Sequence, residues 1–148
     1  MAHIFETIFP NLRSDNYEIT SERSPSYNCI AWAAGRTDRW WWPSPPPFSY
    51  WPENVPRKES IQSFVLAFKE LGYEPCENVR LESGYEKVAI YADADGIPTH
   101  MARQLASGDW TSKLGQLEDI RHSTLQEIEG TAYGRAVQIL RRPIPVDK

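Results

Sequence analysis

Residues 39–52, RWWWPSPPPFSYWP, place five prolines and six aromatic side chains in one unbroken stretch. Proline fixes φ, lacks an N–H and clashes inside a helix, so this segment forms neither a helix nor a central strand. It has to run as an ordered loop, part of it polyproline II, against the body of the domain. Two uses for its aromatic faces stay open. They pack inward and lock a loop that would otherwise cost entropy, or they line a site and stack on a sugar ring or a peptide. Trp41 and Trp42 are its candidate substrate contacts.

Helix signals flank this loop. Before it, Asn28 is a favoured N-cap, Ile30, Ala33 and Ala34 form an apolar face, and Gly35 is a natural stop, so a short helix opens at Cys29. After it, Ile61, Phe64, Val65, Phe68 and Leu71 fall at helical spacing. They predict an amphipathic helix over residues 60–71, ended by Gly72, with its stripe in the core. Residues 1–25 read as an irregular polar segment with one short helix or strand near residues 4–9, and His3 sits in a loose tail.

The second half reads as sheet. Residues 87–92 form a strand, Asp93 to Gly96 a turn, and residues 98–105 the returning strand. Alternation puts His100, Ala102 and Gln104 on one face of that strand and Met101, Arg103 and Leu105 on the other. Residues 110–114 are a third strand closed by Gly115, residues 118–125 a loop with a helical turn, and residues 133–141 a last strand. Residues 73–77 make a short extended piece. Cys76, between Glu74 and Glu77, is structural, since acidic neighbours oppose its thiolate. The expected fold is α+β, N-terminal helices packed on an antiparallel sheet of four to five strands. At 148 residues this is a single domain, with residues 26–142 as its core and residues 143–148 as a tail.

Composition narrows the function classes. Hydrophobic residues at 41% and aromatics at 12% describe a globular chain. A net charge of −4 offers no basic footprint for nucleic acid. The N-terminus carries no basic region before an apolar run, so no signal peptide is read, and no stretch approaches the roughly 18 apolar residues of a membrane span. Two cysteines imply no disulfide framework, and the expected compartment is the cytoplasm, export by another route leaving the same trace. No cofactor is expected. A metal site from Cys29, His100 and His122 lacks a close-spaced ligand pair.

A thiol in the first turn of a helix meets unpaired backbone N–H groups and the positive end of the helix dipole, both of which favour the thiolate. The alternative is a small buried hydrophobe, the usual state of a free cysteine. His100 is the well-placed partner, because an imidazole can take the thiol proton and return it to a leaving amine. Ser112 and Lys113 do not form a dyad, since adjacent strand residues point to opposite faces.

A Cys-bearing helix followed much later by a His-bearing strand is the order of parts in papain-like enzymes. Tyr27-x-Cys29 opening a helix, and Thr99-His100 just after a hairpin turn, resemble the NlpC/P60 branch of that superfamily over residues 25–142. Thr99-His100, Trp110-Thr111-Ser112-Lys113-Leu114-Gly115, His122 and Tyr133-Gly134 also resemble an uncharacterised bacterial group of this fold. The resemblance implies a cysteine peptidase or amidase, acting on a peptide or peptidoglycan-like amide, with Cys29 as nucleophile and His100 as general base. The third catalytic residue stays open between Ser112 and His122, with Asp95 and Asp119 as further choices. The Cys29 N–H is the expected oxyanion donor. Tyr27, Asn28 and Trp110 join Trp41 and Trp42 as substrate contacts. Arg23 stands where papain-like enzymes carry an oxyanion-hole glutamine. Two competing expectations remain. One is a non-catalytic binding or immunity-type protein that holds a protein partner through the Trp/Pro-rich loop, and the other is a toxin domain with deamidase or acyl-transfer activity.

Overall fold

The computed structural model describes residues 3–44 and 49–144. Its central strand is β3 (Tyr85–Ala92), where every residue from Lys87 to Ala92 is buried. Both faces of this strand are covered, which is why it reads as a continuous apolar run rather than an alternating one. β4 (Pro98–Gln104) returns beside it through a turn in which the Asp93 carboxylate accepts the Asp95 and Ile97 N–H groups. β7 (Arg135–Pro143) pairs on the other side of β3. With β1 (Tyr17–Ile19), β2 (Glu74–Cys76), β5 (Trp110–Lys113) and β6 (Asp119–His122), these make a seven-stranded sheet. The strand order is β1-β6-β5-β4-β3-β7-β2, and every pairing is antiparallel.

The α+β class is as expected, but seven strands stand where four to five were predicted. β1 and β2 are three-residue edges carrying Glu18, Glu74 and Pro75, residues that suit an edge and show no hydrophobic period. β6 lies within residues 118–125, predicted to be a loop. Its Asp-Ile-Arg-His sequence looks polar, yet Asp119, Ile120 and His122 are all buried. β7 continues to Pro143, two residues beyond the predicted end of the last strand, so the first residue of the predicted tail lies in the sheet. Residues 145–148 of that tail, and residues 45–48 of the Trp/Pro-rich loop, lie outside the described residues.

Two layers cover the sheet. On one face lie α2 (Cys29–Ala33), with the cap foreseen at Asn28, which accepts Ala31 N–H, and α3 (Ile61–Lys69), capped by Ser60, which accepts Ser63 N–H. Their core takes in Val88, Ile90, Met101 and Leu140, together with Trp41 and Trp51 from the Trp/Pro-rich loop. On the other face, α1 (Ile4–Ile8) realises the short element near residues 4–9 and is capped by the His3 ring. There Phe5, Phe9 and the 3-10 turn Leu125–Ile128 pack on Ala89, Tyr91, Ala102 and Ile139. No helix among the described residues is long and apolar enough to cross a membrane.

The sheet forks between β4 and β5. They pair only at Arg103–Thr111 and Gln104–Trp110, so the first half of β4 has no strand on that side. α2 packs over the fork. Its Trp32 indole N–H donates to Thr111 Oγ1 at 3.0 Å, and Arg103 Nε donates to the Trp32 carbonyl at 3.2 Å. The start of α2 is thereby held above the open edge of β4.

Candidate functional site

Asn28 fixes two things with one side chain. Its Oδ1 accepts the Ala31 N–H at 3.1 Å, starting α2, and also the Trp41 N–H at 3.0 Å. Its Nδ2 donates to the Trp41 carbonyl at 2.8 Å. Trp42 N–H donates to Tyr50 O, and Tyr50 N–H to Trp40 O, so residues around Trp41 run extended beside Tyr50. Extended backbone alternates its side chains. Trp41 therefore enters the core, while Trp40 and Trp42 stay half-buried. Replacing Asn28 with Ala removes the cap and both loop bonds. The expected loss is about 2 kcal/mol by urea denaturation, and a loss below about 0.5 kcal/mol, within the range of ordinary surface substitutions, would rule out the clamp.

Asn28, Cys29, Trp40, Trp42, Thr99 and Tyr133 line a cavity of about 370 Å³. Cys29 sits in its wall as the first residue of α2, 8% exposed. Backbone N–H groups of Met101, Ile30 and Cys29 itself lie near the thiol. The Met101 group comes from the half of β4 that has no β5 partner. These groups and the Lys113 charge favour the thiolate, but burial outweighs them and pushes the thiol up to about 11. The thiolate expected from the helix start alone is therefore not the resting form near neutral pH. Desolvation is the reason.

His100 does not hydrogen-bond Cys29. Both its ring nitrogens lack any partner. The ring is fully buried, stacked on Tyr133 at 4.1 Å and edge-on to Tyr91 at 5.3 Å. It shares the face of Ala102, whereas Met101, on the opposite face, belongs to the layer under α2. Tyr133 links the two groups, lying flat on His100 and lining the cavity with Cys29. Burial, followed by the nearby His122, holds His100 well below the usual histidine range.

The two leading third-residue candidates meet each other instead. Ser112 Oγ and His122 Nε2 are 2.8 Å apart, and His122 Nδ1 lies 2.7 Å from Thr124 O. A carbonyl only accepts, so Nδ1 carries the proton and the Ser112 hydroxyl donates to Nε2. Neither group orients His100. Asp95 is exposed in the β3–β4 turn. Asp119 is buried on the α2 side, accepting the Tyr27 hydroxyl at 2.9 Å.

Lys113 supplies a charge that spacing did not reveal. Its ammonium, fully buried, donates to Ser24 O at 2.8 Å, to Gly115 O at 3.0 Å and to Leu117 O. It also lies 5.0 Å from the centre of the Tyr27 ring, two residues before Cys29. Of the predicted substrate contacts, Asn28 and Trp42 line the cavity, while Tyr27 is committed to Asp119 and Trp41 to the core. Trp110 packs in the other core with Phe5 and Ile120. The sequence reading missed Trp40, Thr99 and Tyr133. Thr99 was within reach of it, because alternation from the core residue Met101 turns Thr99 toward α2. Among the described residues no group of three or more His, Cys, Asp or Glu side chains is arranged to hold a metal ion.

A family model described as a domain of unknown function (DUF7689) matches residues 18–141, from β1 to the last strand. No curated protein and no solved structure shows a significant match.

Proposed function

We propose that this chain, which belongs to that family of unknown function, carries out thiol-dependent hydrolysis or acyl transfer at an amide bond, with Cys29 as nucleophile. The observation that carries the reading is the position of Cys29, the first residue of α2 and part of the wall of a cavity. Backbone N–H groups near the sulfur favour negative charge there, and in this reading the Cys29 N–H serves the oxyanion that follows attack. The papain-like order of parts, a cysteine helix over an antiparallel sheet with a histidine strand, supports the same class.

In this reading the imidazole of His100, which does not hydrogen-bond Cys29 in this structure, turns off Tyr133 to take the thiol proton, Sγ bonds to the carbonyl carbon, and the C–N bond breaks as the proton passes to the leaving amine. Water or a second amine then releases the acyl group from sulfur. A buried imidazole with no hydrogen bond is unusual enough to ask for a role, and proton transfer supplies one. The high resting value of the thiol requires that a base act during attack, not before it. A second reading, a non-catalytic binding protein built around the same cavity, is favoured by the missing Cys29–His100 contact.

Trifluoroethyl thioacetate, followed by intact-protein and peptide mass spectrometry, separates the two. Cys29 is expected to gain one acetyl group and lose it again on turnover, and His100→Ala is expected to slow the cycle by about 10²–10⁴-fold. Full-rate acylation in His100→Ala would remove His100 from the reaction, and an unacylated Cys29 would leave the binding protein. Independently, iodoacetamide alkylation of Cys29 is expected to quicken continuously up to about pH 11. A plateau near pH 8.5, the free-thiol value, would show that burial does not control the sulfur.

A further inference from the structure

Among the described residues the cavity beside Cys29 has no charged side chain in its lining, which also includes Ser49 and Gly115. Its polar side chains are mostly committed elsewhere. Asn28 uses both its oxygen and its nitrogen on Ala31 and Trp41. The Thr99 hydroxyl donates to Tyr133 O at 2.5 Å. The Trp40 indole N–H points to Pro25 O at 2.7 Å, away from any occupant. What is left in the lining is therefore mainly ring surface, with the Ser49 and Tyr133 hydroxyls as its polar groups.

That surface is also rigid. Trp42 stands edge-on to the buried Phe64 ring at 5.5 Å and 83°. Tyr133 is backed by His100 in a stack of 10° interplanar angle. Trp40 and Trp42 are set by backbone bonds with Tyr50. A volume of about 370 Å³ is at the small end for ligand sites, enough for one side-chain-sized group and not for an extended chain.

From these walls we infer that the cavity selects the acyl side of the scissile amide, accepting an uncharged aromatic or branched aliphatic group and rejecting a charged one. The inference rests on the reading of Cys29 as nucleophile. A charged carboxylate entering here would lose its hydration with no cation among the described lining residues, and only hydroxyls and backbone N–H groups to replace it. An aromatic ring would instead meet fixed aromatic faces, and its burial is favoured without reordering the walls. The chemistry thus points to an amide preceded by an apolar residue, not to the acidic and polar residues of a peptidoglycan stem.

The test uses the intact protein and three trifluoroethyl thioesters, whose common leaving group is not aromatic: acetyl, 3-phenylpropanoyl and succinyl. Acylation of Cys29, followed by mass spectrometry and divided by each thioester's own rate with free cysteine, is expected to be about tenfold faster for phenylpropanoyl than for acetyl. It is expected to be about a hundredfold faster for phenylpropanoyl than for succinyl. Trp40→Ala, which removes one wall, is expected to cut phenylpropanoyl acylation more than acetyl acylation, so that the phenylpropanoyl preference falls, and a preference unchanged in Trp40→Ala would overturn the role of that wall. Equal normalised rates for all three donors would overturn the selectivity while leaving the nucleophile in place. Absence of acylation by every donor would overturn the nucleophile itself. A preference for succinyl would replace the apolar site with a cation-bearing one.

Discussion

Lys113→Met is expected to lower the stability of the fold by about 3–5 kcal/mol, the size of effect seen when one partner of a buried charged cluster is removed. Met fills nearly the same volume, so the loss is not that of a cavity. It is electrostatic. The ammonium satisfies the carbonyls of Ser24, Gly115 and Leu117, and without it these oxygens face an apolar side chain. Asp119, 2% exposed, also loses the stronger positive charge that offsets its burial, keeping the Tyr27 hydroxyl, the Ser21 side chain and the weaker pull of Arg103 as support. Urea unfolding of Lys113→Met, Asp119→Asn and the double variant measures the coupling. Once the carboxylate is neutral, removing the ammonium is expected to cost less than in the wild type, by about 0.5–3 kcal/mol. Strict additivity would show that Lys113 serves the three carbonyls alone. A Lys113→Met loss under about 1 kcal/mol, the usual worth of an exposed ion pair, would show that water takes over the cage.

The same cluster shows where sequence reasoning stops. Asn28, Cys29 and Gly35 announced α2 because capping, helix start and helix stop are local chemistry. The stripe from Ile61 announced α3 for the same kind of reason. Lys113 and Asp119 gave no such sign. They come from strands β5 and β6, and only the folding of both against Tyr27 makes them one buried group. His100 is a subtler case. Its strand and face were legible from alternation, but the face that α2 would cover was not, because that depends on which layer packs where. Met101 was the clue: a large apolar residue on the face opposite His100 marks the side on which a helix would find a partner. The Trp/Pro-rich loop was open between packing and binding, and alternation divides it, sending Trp41 inward while Trp40 and Trp42 face the cavity.

Acid is expected to unfold the domain by way of its two buried histidines, before the carboxylates titrate. His122 is fully buried, and burial pushes it down to about 4 against the opposing pull of the Thr124 carbonyl. The unfolded chain binds this proton near pH 6.5, whereas the folded chain waits until about pH 4. Between those values the unfolded state holds more protons, so stability falls as pH falls, by about 3 kcal/mol from this one group. His100 acts in the same direction, since its cation would be buried with no acceptor at either nitrogen and would face a second positive charge at His122. Asp119 opposes the trend, because burial raises its carboxyl and protonation there relieves a buried charge. Glu82 and Asp38, held low by their cationic neighbours, contribute only below the usual carboxylate range. Urea midpoints measured from pH 7.5 to 4.5 should therefore fall steeply below pH 6.5. His100→Phe keeps a ring against Tyr91 and Tyr133, made no hydrogen bond to lose, and removes one titrating site. The slope is the readout, because a constant packing penalty shifts every midpoint equally and leaves the slope alone. A His100→Phe slope equal to that of the wild type would mean that His100 already takes up its proton in the folded protein, which would require the ring to reach water or an acceptor that the packed state does not offer.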